Sequence, residues 1–154
     1  MKVLVLSDSH GAVHYLRRIM EKESECELVF FLGDGLSDIE RIKEENPQKK
    51  FICVKGNNDH YYSEEREAYK YIDGVTIMAC HGDAFGVRST LQHLIRKTDS
   101  VRGNLALYGH THKSNLYNDY STGVIAVNPG AVCDGKYCVL EFKRGQFEYY
   151  PRTV

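Results

Sequence analysis

Five short polar blocks in this 154-residue chain are rich in side chains that bind metals or carry protons: Asp8-Ser9-His10, Gly33-Asp34-Gly35, Gly56-Asn57-Asn58-Asp59, His81-Gly82-Asp83 and Gly109-His110-Thr111-His112. Carboxylate and amide oxygens are hard donors and imidazole nitrogens are borderline. That mixture suits manganese, iron, zinc, nickel or cobalt better than calcium or copper(I). Seven candidates, Asp8, His10, Asp34, Asn57, His81, His110 and His112, exceed the roughly four donors that one tetrahedral ion takes. Two five- or six-coordinate ions sharing one carboxylate would use them all. Such a pair, about 3.5 to 4 Å apart, holds a bridging hydroxide and clamps the attacking and leaving oxygens of an in-line phosphoryl transfer. Hydrolysis of a phosphate ester is the chemistry expected. A single Asp-x-His, or one histidine after a strand, is more often structural; the joint placement of the blocks carries the reading.

That placement comes from the elements before each block. Residues 3–6, 28–32 and 51–54 are short apolar runs that read as buried strands. Between them, Val13, Leu16, Ile19 and Met20 fall at helical spacing, as do Leu36, Ile39 and Ile42, whose helix must stop ahead of Pro47. The β-α-β-α-β alternation predicts a parallel sheet covered by helices. Residues 69–72 and 75–79 flank Asp73-Gly74, a two-residue hairpin signal. A third helix is expected through Val87, Leu91, Leu94 and Ile95, then a strand at 105–108. Mostly antiparallel strands follow at 116–120, 124–127, 137–142 and 146–150, the last half-exposed. The architecture predicted is an α/β four-layer sandwich, two mixed sheets packed face to face and flanked by helices, in one domain over 1–154. In α/β sheets ligands bind beyond the carboxyl ends of the strands, so the five blocks should meet in space.

Composition limits the alternatives. Twenty Lys plus Arg balance 21 Asp plus Glu for a formal charge of −1, which leaves no extended basic footprint for a nucleic acid. Five cysteines without a Cys-x-x-Cys pair argue against a disulfide framework or zinc ribbon and suit a reducing, cytoplasmic setting, with Cys53 and Cys80 reading as small buried hydrophobes. No apolar stretch approaches a membrane span. There is no Gly-x-Ser-x-Gly elbow, no Gly-x-x-x-x-Gly-Lys-Ser/Thr loop and no complete dinucleotide fingerprint.

The ordered blocks Asp8-x-His10, Gly33-Asp34, Gly56-Asn57-Asn58-Asp59, His81-Gly82 and Gly109-His110-x-His112 resemble the calcineurin-like metallophosphoesterases. Asn128-Pro129-Gly130 looks like the turn after the last ligand motif in that family's small phosphodiesterase branch. The resemblance implies one ion on Asp8, His10, Asp34 and His112. A second would sit on Asp34, Asn57, His81 and His110, with Asp34 bridging and a metal-bridging hydroxide as nucleophile. It implies manganese foremost, with iron, zinc or nickel as alternatives. Many phosphatases of the family carry His where this chain has Asn58. An amide there can contact a phosphoryl oxygen but cannot protonate a leaving group. The expected activity is therefore phosphodiesterase action on a small phosphoester, most visible with activated aryl diesters or nucleotide diesters.

Asp59 and Asp83 are candidates to orient ligand imidazoles. His60 reads as an exposed loop residue. The rival function is a non-catalytic interaction scaffold, since a retromer subunit of similar fold serves chiefly as a platform. With the whole chain committed to two sheets and their loops, no cap remains, and the site should be shallow and open.

Overall fold

The structure, a computed structural model, describes all residues from 1 to 154. The first half winds as β1 (Lys2–Leu6), α1 (Val13–Lys22), β2 (Leu28–Phe31), α2 (Leu36–Glu45) and β3 (Lys50–Cys53). β1 pairs in parallel with β2, and β2 with β3. Then follow β4 (Glu67–Ile72), β5 (Val75–Cys80), α3 (Gln92–Ser100), β6 (Leu105–Leu107), β7 (Asn115–Asn118), β8 (Ile125–Asn128), β9 (Lys136–Lys143) and β10 (Gln146–Thr153). The strands form two five-stranded sheets, ordered β10-β9-β1-β2-β3 and β4-β5-β6-β8-β7.

Alternation along each strand builds the layers, because successive side chains point to opposite faces. Val3, Val5, Phe30 and Leu140 of the first sheet meet Ile77, Leu105, Leu107 and Val127 of the second in the central core. Leu4, Leu6 and Phe31 face outward and are covered by Leu16, Ile19, Ile39 and Ile42 of α1 and α2. Met78 and Ala106 on the outer face of the other sheet lie under Leu94 and Ile95 of α3. Helix, sheet, sheet and helix make the four-layer α/β sandwich expected. No helix is long and apolar enough to cross a membrane.

Two local expectations shift. The third helix starts at Gln92 rather than near Val87. Gly82 and Gly86 hold positive φ around a 3-10 turn at Asp83–Phe85, so the chain cannot enter a helix until Thr90 Oγ1 accepts the Gln92 amide; Val87 and Leu91 pack against the outer cluster from the loop. The late strands are mostly antiparallel, as predicted; the parallel pairing among them is that of β8 with β6, while β8 runs antiparallel to β7. All four residues of β7 are exposed, so β7 takes the sheet edge and leaves apolar β8 inside. Cys53 is half-buried rather than buried, while Cys80 is buried. The Asp73-Gly74 turn forms as read, both residues at positive φ between antiparallel β4 and β5, and β10 alternates half-buried Phe147 and Tyr149 with exposed neighbours.

Candidate metal centre

β1, β2, β3, β5 and β6 all end at one edge of the sandwich, and the loops beyond them bring the polar blocks together. Two groups of donor atoms form there: Asp8, His10 and His112, and Asp34, His81 and His110, the atoms of each lying within 4.8 Å of one another. His10 Nε2 is 3.3 Å from His112 Nε2, and His110 Nδ1 is 3.2 Å from His81 Nε2. Asp8 Oδ1 lies 3.2 Å from His112 Nε2 and 3.6 Å from His10 Nε2. Asp34 Oδ2 lies 3.3 Å from His81 Nε2 and 3.9 Å from His10 Nε2, and so faces both groups. Donors about 2.1 Å from a shared cation stand about 3.0 Å apart at octahedral angles and about 3.4 Å at tetrahedral ones. Four of the six spacings, at 3.2 to 3.3 Å, fall in that range.

Three further observations test the fit. Asp8 Oδ1 and Asn57 Oδ1 are buried with no hydrogen-bond partner, and orphaned buried acceptors are rare unless something else satisfies them. His81 Nδ1 donates to the Leu32 carbonyl at 2.7 Å, which fixes the tautomer and turns Nε2 toward the cluster as a neutral donor. Asp8, His10, Asp34, His110 and His112 also hold positive φ, five of the chain's eight non-glycine residues that do. Such backbones cost about 1–3 kcal/mol each and persist where the surroundings impose them, commonly at functional sites. The donor set fits divalent ions.

The surrounding chain holds Asp8, Asp34, His81 and the His110–His112 loop in place. Asp8 Oδ2 accepts from Ser7 Oγ at 2.5 Å and from the His110 amide at 3.1 Å, leaving Oδ1 to face the histidines. Gly109 allows this approach, because a Cβ there would lie 2.0 Å from Ser7 Oγ. Asn128, fully buried, donates to Gly109 O and Thr111 Oγ1 and accepts the Gly130 amide. The Asn128-Pro129-Gly130 turn thus braces the His110–His112 loop. Burial raises the Asp34 carboxyl, but hydrogen bonds from His81 and Asn58 outweigh it and leave the group well below the ordinary carboxylate range. Burial lowers His81, yet Asp34 and Asp8 raise it on balance. A proton on His81 and a divalent cation answer the same excess of negative charge.

Asp59 does not orient an imidazole. Its carboxylate, 5% exposed, accepts the amides of Asp34 at 2.7 Å, Gly35 at 3.0 Å, Leu36 at 3.0 Å and Gly56 at 2.9 Å. It ties the loop after β3 to the start of α2, because four amides converge where the chain turns sharply after β2. Asp83 accepts Arg66 Nη1 at 3.1 Å and binds no ligand imidazole in the structure. His60 is exposed. Asn58 donates through its amide nitrogen and Nδ2 to both Asp34 oxygens, at 2.9 and 2.7 Å. The sequence reading missed Cys133 and Asp134, which form a third donor group with His112; their only signal was proximity to the Asn128-Pro129-Gly130 turn. Asp8 and His81 form a dry floor, 0% and 1% exposed, whereas the His10 and His112 side chains are 34% and 37% exposed. On the side of His10 and His112 the cluster opens to solvent.

Known proteins share this architecture. The chain is 26% identical over 134 residues to the probable metallophosphoesterase YsnB of Bacillus subtilis (strain 168), covering 86% of this chain and 75% of that one. A Streptococcus pneumoniae TIGR4 protein described as a predicted phosphoesterase superposes with a TM-score of 0.83 at 22% identity, covering 99% of this chain and 88% of that one. Vps29 of Entamoeba histolytica in complex with zinc gives 0.80 at 19% identity, with 99% and 92% covered, and an archaeal phosphodiesterase gives 0.73 at 21%, with 99% and 100% covered. Residues 1–145 match the calcineurin-like phosphoesterase superfamily domain, and the chain belongs to that family.

Proposed function

We propose that the protein is a divalent-metal-dependent phosphodiesterase with a dinuclear centre, working in the cytoplasm on a small phosphoester. Asp8, His10, Asp34 and His112 would hold one ion. Asp34, Asn57, His81 and His110 would hold the other, with Asp34 shared and manganese the metal to load first, before iron, zinc or nickel. When bound, the ions supply an acidified water as nucleophile and neutralise charge on the phosphoryl oxygens. The observation that carries the reading is the pair of orphaned buried oxygens, Asp8 Oδ1 beside the histidine cluster and Asn57 Oδ1 in the residue next to Asn58, which donates to Asp34. Each would cost about 1–3 kcal/mol if nothing satisfied it.

The chain's own groups define what the site can do. Ser7 and the His110 amide hold Asp8, the Leu32 carbonyl holds His81, and Asp59 holds the Asp34 backbone, so the donors need no rearrangement. For Asn58 to contact substrate, its Nδ2 must exchange Asp34 Oδ2 for a phosphoryl oxygen. It cannot donate a proton to a departing alcohol. General acid catalysis is worth about 10²- to 10⁴-fold, so esters with good leaving groups should be favoured.

The scaffold reading has the Vps29 likeness behind it. Because one Vps29 is described as a zinc complex, metal content does not separate the two readings; turnover does. Manganese-loaded protein is assayed on an aryl phosphodiester and the matching monoester. Metal-dependent hydrolysis with preference for the diester is expected, and no metal-dependent turnover of either overturns the enzyme reading.

A further inference from the structure

A cavity of about 710 Å³ runs beside the metal cluster, with His112 in its wall. It lies between the loop ahead of α3 and the segment from Thr111 to Asn115. Its volume falls within the range of small-molecule sites and exceeds what a single phosphate needs. Arg88 and Lys113 line it, and no acidic residue does. That imbalance is notable in a chain whose 21 acidic residues outnumber its 20 Lys and Arg. Thr90, which accepts the first amide of α3, also faces the cavity, so the positive end of that helix adds to the field of the two cations. Tyr108 is anchored in the wall, its hydroxyl accepting Asn115 Nδ2 at 3.1 Å.

We propose that this cavity seats one ester substituent of the substrate and that Arg88 and Lys113 select diesters in which that substituent carries a second phosphate. The inference rests on the proposed phosphodiesterase reading and gives it a substrate class: a small phosphorylated diester of nucleotide type. Near-neutral composition excludes an extended basic surface but not a local pair of cations beside a site. Two cations flanking a cavity without acids reward a second negative charge and do little for a neutral substituent.

The test compares a dinucleoside monophosphate with the same dinucleotide carrying a terminal phosphate, using manganese-loaded protein. KM is expected to be about tenfold lower for the phosphorylated compound. The ratio of the two KM values should fall toward one in Arg88→Ala and Lys113→Ala, and recover in part in Arg88→Lys. A ratio near one in the unmodified protein, or a ratio unmoved by both alanine variants, overturns the proposal. A separate measurement is calorimetric binding of inorganic pyrophosphate to metal-free protein. Binding that weakens in the Arg88→Ala/Lys113→Ala double variant supports the cavity as an anion site, and no binding, or binding equal in the two, overturns it. If neither dinucleotide is cleaved while pyrophosphate still binds through Arg88 and Lys113, the catalytic reading fails and the anion site stands.

Discussion

Asp59→Ala should disable the metal centre without removing a ligand. The carboxylate accepts four backbone amides, and the contacts to Asp34, Leu36 and Gly56 are buried. Leaving a buried donor unpaired costs about 1–3 kcal/mol. Water can reach the partly exposed Gly35 side of the gap, so the net loss should be about 3–5 kcal/mol rather than the full sum. For a chain of this length that lowers Tm by roughly 10 to 15 °C. Asp59→Asn should fare little better, because its amide nitrogen would face two amides that are themselves donors. The assay is urea unfolding of metal-free protein, where the midpoint should fall at an unchanged slope, followed by metal titration, where affinity should drop because Asp34 loses the anchor on its backbone. A loss below about 1 kcal/mol with an unchanged slope would refute the reasoning, since four amides could then find partners without the carboxylate.

Asp8→Asn should separate stability from function: its Nδ2 can meet His112 Nε2, now 3.2 Å from Asp8 Oδ1, so the metal-free variant should melt at or above the parent temperature while metal uptake is lost, as calorimetry and elemental analysis would show. Gly109→Ala places a Cβ 2.8 Å from Asp8 Oδ2 and should weaken metal binding about 10- to 100-fold, the usual effect of disturbing a ligand's support; an affinity equal to the parent's would contradict the packing argument. Lys49→Met is the contrasting case. Lys49 Nζ donates to the carbonyls of Glu23, Ser24 and Cys26 at 3.0, 3.2 and 2.7 Å, so its loss should cost about 2–3 kcal/mol in urea unfolding and leave metal stoichiometry unchanged.

Much of the molecule can be read from the chain because it depends on local pattern. Val3, Val5, Leu4 and Leu6 divide between two faces by the period of a strand, and the helix of Leu36, Ile39 and Ile42 ends before Pro47 as local sterics require. Asp73-Gly74 turns as its residue types demand. The seven candidate donors stand out because each block lies just beyond a strand, and the strand-end rule needs no knowledge of partners.

What the tertiary structure decided concerns relations between distant residues. Asp59 looks like a possible partner of a neighbouring imidazole, yet it serves the amides of Asp34, Gly35, Leu36 and Gly56, because loop closure converges those donors on it. Asn58 turns its amide onto Asp34 across 24 residues. Cys133 and Asp134 come beside His112, and Arg88 and Lys113 come to face one cavity, only after two sheets have packed. The place of β8 inside its sheet follows from the exposure of β7, a competition between strands that neither displays alone. Periodicity and turn chemistry act over a few residues and are written in sequence order, whereas the grouping of side chains around a site depends on how separate loops meet once the core is buried.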